Sequence, residues 1–333
     1  MHRVCPARAV DIQSTSLLPT AQWTLALSKV PQRQGFWQPR YWPTWLMLGT
    51  LWLCTRLPYR LQIHLGAGLG RVLYHISRHR RFVTETNIRL CFPELNEQAR
   101  RARVRAVFRN NGIGILETAM AWWMPESGLP PKLELKGREY LDQALEQGRG
   151  VILLGAHFSS LDLGGLLFAR FYKVSGMYRP HNNPLMDRVI RRGRERFFER
   201  AIERSDIRSV IRTLRQNGIV WYAPDQDMGI KNAVYAPFFG IPAATITATT
   251  RMVKLNDSPI LMLAQHRLPD DSGYELELYP ALENFPGKTP EEDAQRVNAA
   301  IEQAVRKDPS QYMWVHRRFK THPQGKNFLY QKR

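Results

Sequence analysis

Between residues 150 and 280 short, unbroken apolar runs alternate with longer stretches of helical spacing, and this alternation limits the possible folds more than any other feature. The runs at 151–154, 174–178, 219–222 and 260–265 are apolar on successive positions, as strands buried on both sides are. Helical spacing is expected over 161–172, 185–202, 210–216 and 245–255. Strand, helix, strand in that rhythm is the pattern of an α/β domain with a largely parallel sheet. A helix over 139–147 stops at Gly148. Residues 269–273 form a hairpin turn into an alternating strand at 274–279, which adds an antiparallel edge. A last helix, 291–307, follows Thr289-Pro290, and 312–319 is an aromatic, basic tail.

Before Pro130-Pro131 the pattern is helical. Over 95–123, Arg100, Arg101, Arg103, Arg105 and Arg109 interleave with Ala102, Val104, Val107 and Phe108, and no acid lies between 98 and 109. Such a run suits a solvated face or an anionic lipid surface. The whole chain carries 48 Lys+Arg against 29 Asp+Glu, a net +19, which calls for a polyanionic partner or surface. A mean hydropathy of -0.39 excludes a polytopic membrane protein. The three cysteines, Cys5, Cys54 and Cys91, are too few and too dispersed for a disulfide framework, so a reducing compartment is expected.

One segment speaks for a membrane. Residues 41–55 carry no charge, are bracketed by Arg40 and Arg56, and place Trp42 and Trp45 near one end. They fall short of the ~17–25 residues of a spanning helix, so an anchor or an interfacial helix over 38–58 is expected, with a buried core helix as the alternative. Arg71, Arg78, His79, Arg80 and Arg81 cluster after it, which places the remainder on the cytoplasmic side. Residues 1–37 show no signal peptide and read as a poorly ordered tail.

In an open α/β sheet ligands sit beyond the carboxyl ends of the strands. The first such position holds Gly155-Ala-His157-Phe-Ser-Ser-Leu-Asp162, an H-x4-D spacing across a strand-to-helix turn. His157 as a neutral imidazole takes a proton from a hydroxyl, and Asp162 fixes its tautomer. The spacing alone is weak, because His266 and Asp271 repeat it by accident with the acid in a polar turn. The second strand end, Tyr178-Arg179-Pro180-His-Asn-Asn183-Pro184, offers Arg179 for a phosphate or acyl carbonyl and Asn183 as a helix cap or ligand contact. The third holds Asp225-Gln-Asp227, two carboxylates that orient bound groups or hold an Arg. Between 188 and 215 ten arginines, Arg194 among them, face four acids, a surplus suited to phosphorylated head groups or an acidic carrier protein.

Other motifs fail. Ser159 and Ser160 lack the G-x-S-x-G elbow, and Gly287-Lys-Thr289 has Leu282 where a phosphate loop needs glycine. His75 and His79 stand among arginines that would repel a metal ion, and Gly66, Gly68 and Gly70 miss the dinucleotide spacing.

The chain resembles the lysophospholipid acyltransferase superfamily, in particular the lipid A biosynthesis late acyltransferases of the lauroyl and myristoyl type. The likeness runs from about Pro39 to Pro323. It is carried by Arg40-Tyr-Trp-Pro-Thr-Trp45, Asn87-Ile-Arg-Leu-Cys-Phe-Pro-Glu94, Glu117-Thr-Ala-Met-Ala-Trp122, Gly155-Ala-His157-Phe with Asp162, Tyr178-Arg179-Pro180, Asp225-Gln-Asp227 and Gln311-Tyr-Met-Trp-Val-His-Arg-Arg-Phe-Lys320. It implies a mixed, largely parallel sheet flanked by helices, like that of glycerol-3-phosphate acyltransferases. The catalytic domain would span 59–333, helical to 128 and α/β from 129. It further implies transfer of a fatty acyl chain from acyl carrier protein to a hydroxyl on an acyl chain of Kdo2-lipid IVA, at the cytoplasmic face of a Gram-negative inner membrane. His157 and Asp162 would be the catalytic dyad, with Arg179, Asn183, Arg194, Asp225 and Asp227 as substrate contacts, no metal and no cofactor. The lauroyl members carry Glu where this chain has Asp162. A glycerophosphate or lysophospholipid acyltransferase would share the dyad, and a membrane-tethered nucleic-acid binder would explain the charge but not the ordered motifs.

Overall fold

The computed structural model describes residues 35–130 and 132–331. The tail expected over 1–37 falls, but for its last three residues, outside the described residues. The chain divides after Gln38, and the unit from Pro39 onward carries the elements below.

Four helices come first: α1 (Trp42–Cys54), α2 (Tyr59–Ile76), α3 (Arg78–Cys91) and α4 (Glu97–Trp123). The side-chain Oδ1 of Asn96 accepts the N–H of Ala99 at 2.9 Å and so caps α4. Helices α2 and α4 meet through their backbones. A Cβ on Gly112 would lie 2.3 Å from both Gly66 O and Gly70 N, so only glycine permits this approach. The opposite side of α2 is exposed, and Leu61, Leu65, Val72 and Ile76 form an apolar stripe along it. At 100° per residue this stripe is about 60° wide.

After these come β1 (Lys132–Lys136), α5 (Arg138–Glu146), β2 (Val151–Leu154), α6 (Leu161–Phe168), β3 (Val174–Tyr178), α7 (Pro184–Arg194), β4 (Arg200–Glu203), α8 (Ile207–Arg215) and β5 (Ile219–Tyr222). Then follow β6 (Ala233–Phe238), β7 (Ile241–Ile246), α9 (Ala248–Asn256), β8 (Ile260–Arg267), β9 (Gly273–Leu278) and α10 (Pro290–Lys307). The seven-stranded sheet runs β1-β9-β8-β2-β5-β3-β4. Its pairs are parallel except β8 with β9, which are antiparallel. The mixed, largely parallel sheet flanked by helices is therefore as the sequence predicts.

The sheet separates two cores. Ile152, Leu154, Val220 and Met262 point to one side, beneath α3, α8, α9 and α10. Val151, Leu153, Ile219 and Leu261 point to the other, with residues of α2, α5 and α6. At one end of the sheet Glu117 of α4, fully buried, accepts Arg267 Nη1 at 2.6 Å and the hydroxyl of Tyr274, while Arg267 Nε donates to Asp271 at 2.8 Å. This buried ion pair fixes α4 to β8 and β9.

Several expectations are corrected. The helix predicted over 185–202 ends at Arg194, because Phe197 and Phe198 turn into the core and the chain returns as β4 beside β3. The ring of Phe198 occupies the space that a Cβ on Gly176 would need, 2.3 Å away. The antiparallel strand β9 is not an edge, since β1 pairs outside it. The hairpin β6–β7 has no counterpart in the sequence reading. It turns at Phe239 and Gly240, both with positive φ (52° and 76°), as primed hairpin turns require. Helix α1 has 13 residues, about 20 Å, against the ~30 Å of a bilayer core. Among the described residues no helix is long and apolar enough to cross a membrane. A spanning anchor over 38–58 is thus not supported. What α1 shows is Leu46, Met47 and Leu53 exposed to solvent.

Candidate active site

Strands β2 and β5 lie side by side in parallel register, Leu154 opposite Tyr222. Each then runs into a loop, and the third residue past each of these partners is His157 and Asp225. The register that pairs the strands thus sets imidazole against carboxylate. Nδ1 of His157 donates to Oδ1 of Asp225 at 2.5 Å, and the backbone N–H of His157 donates to Oδ2 at 2.9 Å. A carboxylate that accepts both bonds fixes the loop and the ring together. The proton resides on Nδ1, and Nε2 is left as the basic nitrogen.

Asp225 is 1% exposed. Burial pushes its carboxyl up, but the charge and two hydrogen bonds of His157, with a hydrogen bond from the Tyr312 hydroxyl, outweigh that and hold it at about 2. The segment containing Tyr312 braces the loop directly. Ser159 N–H donates to Gln311 O at 2.7 Å, and Met313 N–H donates to His157 O at 2.9 Å. Beyond it, burial lowers His316 to about 4, so this second imidazole is neutral at pH 7.

His157 opens onto a cavity of about 540 Å³. Its walls carry Arg179, Arg194, Arg204, Lys231 and Arg251, with Leu161, Met177, Ile207, Trp221 and Met228 between them and no carboxylate among the lining residues. A basic nitrogen at the edge of a cationic, partly apolar cavity can take a proton from a bound hydroxyl.

The residues expected from the sequence distribute as follows. Asp162 does not hold His157; it accepts Nε of Arg194 at 2.7 Å. Because Asp162 opens α6 and Arg194 closes α7, this pair directs the arginine into the cavity. Arg179 lines the cavity as well. Asn183 caps α7 by accepting from Leu185 and Met186 at 3.0 and 3.3 Å, and its Nδ2 donates to Thr44 of α1 at 3.1 Å. Asp227, 3% exposed, accepts from the N–H and hydroxyl of Thr321 at 2.6 and 2.9 Å, so it clasps the C-terminal segment. The accidental match at His266 is a core residue, edge-on to Phe158 at 4.9 Å, while Asp271 pairs with Arg109 and Arg267. Sequence reading passed over Tyr312 as a contact of Asp225, and over Lys231 and Arg251, which no motif marks.

This architecture and this site define an α/β domain with a histidine–aspartate pair at the strand ends, beside a cavity lined by cations. The profile of the bacterial lipid A biosynthesis acyltransferase family matches residues 31–321. The chain is 38% identical over 288 residues to the lipid A biosynthesis lauroyltransferase of Escherichia coli strain K12, covering 86% of this chain and 94% of that protein. It is 38% identical over 297 residues to the palmitoleoyltransferase of the same strain, covering 89% and 96%, and 28% identical over 301 residues to its myristoyltransferase, covering 88% and 91%. The chain belongs to the bacterial lipid A biosynthesis acyltransferase family. It is an acyltransferase.

Proposed function

We propose that the chain transfers a fatty acyl group from acyl carrier protein to a hydroxyl on an acyl chain of Kdo2-lipid IVA, with His157 as general base. The observation that carries this reading is the Nε2 of His157, freed by the Nδ1 bond to Asp225 and placed on a cavity with five cationic residues. In this scheme Nε2 takes the hydroxyl proton as the oxygen attacks the thioester carbon. Asp225 stabilises the imidazolium that results. The tetrahedral oxyanion is met by Arg194 or Arg179, and the carbon–sulfur bond breaks as the thiolate collects the proton from Nε2. Asp162 contributes by orienting Arg194. The phosphates of the acceptor neutralise the remaining cations of the cavity.

The chain works at the cytoplasmic face of the inner membrane as an interfacial protein. Leu46 and Leu53 of α1 and the exposed stripe of α2 enter the lipid, with Arg40, Arg56, Arg60 and Arg71 at its anionic surface. Thr44 ties α1 to Asn183 at the start of α7, and so brings the lipid surface close to the strand end that carries Arg179. The test is mass spectrometry of lipid A from a strain lacking the gene, complemented with the natural chain or with His157→Ala. The natural chain restores one acyl mass and the variant, equally abundant, does not; restoration by both refutes the scheme.

A further inference from the structure

Helix α8 carries Arg208, Arg212 and Arg215, exposed and spaced along one side of the helix, with no acid inside α8 itself. Asp206 caps its N-terminus through Ser209 and exerts its charge on Arg208 and Arg212. Helix α9 packs on α8 and exposes Arg251 and Lys254. Among the described residues, Arg208, Arg212, Arg215, Arg251 and Lys254 form no ion pair with a carboxylate. Like charges one turn apart repel, so the two helices hold a self-repelling surface that an acidic partner relieves.

The position of this surface narrows the partner. Arg204, just before α8, and Arg251 of α9 both line the cavity that His157 faces. The cationic rows therefore start at the mouth of the active site and lead away from it. They cover the core that Leu73 and Tyr74 at the end of α2 also touch, whereas Ile63 and Ala67 of α2 enter the core on the other side of the sheet. We infer that the face formed by α8 and α9 docks a soluble, acidic carrier protein that delivers the acyl thioester to the cavity on a flexible arm. This rests on the reading that the donor is an acyl carrier protein, and adds where that donor binds.

The test uses the full chain and the double variant Arg208→Glu/Arg212→Glu, whose residues lie outside the cavity. Titration of acyl carrier protein against both, and kinetics with dodecanoyl carrier protein, should show affinity and kcat/KM falling at least ~10-fold in the variant with kcat little changed, and the natural chain losing the same advantage at high salt. Turnover of dodecanoyl-pantetheine, which lacks the acidic protein, and binding to phosphatidylglycerol-containing vesicles should stay within two-fold. Unchanged carrier affinity in the variant overturns the docking face. So does an equal loss with the free thioester, or a loss of vesicle binding in place of carrier binding. If the natural chain itself neither binds nor uses the carrier, the donor reading fails as well, an outcome distinct from the variant matching the natural chain.

Discussion

His157 is oriented by Asp225, 2.5 Å from its Nδ1 and on the neighbouring parallel strand end, and not by Asp162 five residues along the chain. Asp225→Asn should leave the strands paired but let the imidazole take the wrong tautomer, with a loss of ~10²–10⁴-fold in kcat. Asp162→Asn frees Arg194 instead, and its loss should be smaller and be shared by Arg194→Gln. Steady-state kinetics of the two single variants and the double variant Asp162→Asn/Arg194→Gln decide this: the double should cost no more than the larger single. A larger effect at Asp162 than at Asp225 would reverse the assignment.

His157→Ala should lower turnover by at least ~10²-fold while the protein stays folded; its unfolding midpoint falls modestly, because the buried Asp225 loses its side-chain partner but keeps the His157 N–H and the Tyr312 hydroxyl. Circular dichroism and a single-turnover assay measure both.

Acid should weaken the fold through His266. Burial, with both ring nitrogens unpartnered, lowers its pKa to about 4, against an ordinary value near 6.5. The unfolded chain therefore binds a proton that the native chain refuses, and the stability this group contributes is complete above pH ~6.5 and is lost as pH falls toward 4. The loss is about 2–3 kcal/mol between pH 7.5 and 4.5. His266→Leu should lack that part of the decline in urea midpoints, and a parallel decline in both proteins would count against it.

Gly112→Ala should fail to fold or lose more than ~3 kcal/mol, since its Cβ would meet backbone of α2 that cannot rotate away. Gly68→Ala, two residues from both Gly66 and Gly70 and so on the opposite side of α2, has nothing within 4 Å of its Cβ and should be neutral or stabilising by up to ~1 kcal/mol. Thermal melts of both variants separate a seat between backbones from a general need for small residues.

Leu46→Ser/Leu53→Ser should weaken vesicle binding by ~10²-fold or more while the melting temperature holds, because each side chain is exposed in the protein and would transfer ~1.5–3 kcal/mol into lipid. Flotation with anionic vesicles reads this, and retained binding would remove α1 from the membrane surface.

Much of the sheet was legible because its central strands are buried on both sides and leave continuous apolar runs, as at 151–154 and 219–222. Strand β4 was hidden inside a helical pattern, since Phe197 and Phe198 keep helical spacing while turning into the core. The hairpin β6–β7 was hidden because Phe239, where the turn needs a positive φ, is not a residue that signals one. His157 and Asp225 were each readable as strand-end residues. Their partnership was not, because it follows from which strands are neighbours, and spacing along the chain favours the local acid. The cationic wall was read only at Arg179 and Arg194, since Lys231 and Arg251 stand on segments that meet the cavity through the fold alone.

The segment after α10 ties off both acids of the loop following β5, Asp225 through Tyr312 and Asp227 through Thr321. The base is therefore aligned by a segment that lies outside the seven-stranded sheet. Trp314 and Phe319 of the same segment are buried in the core, so a cut between α10 and Tyr312 would take away core packing and the alignment of His157 together.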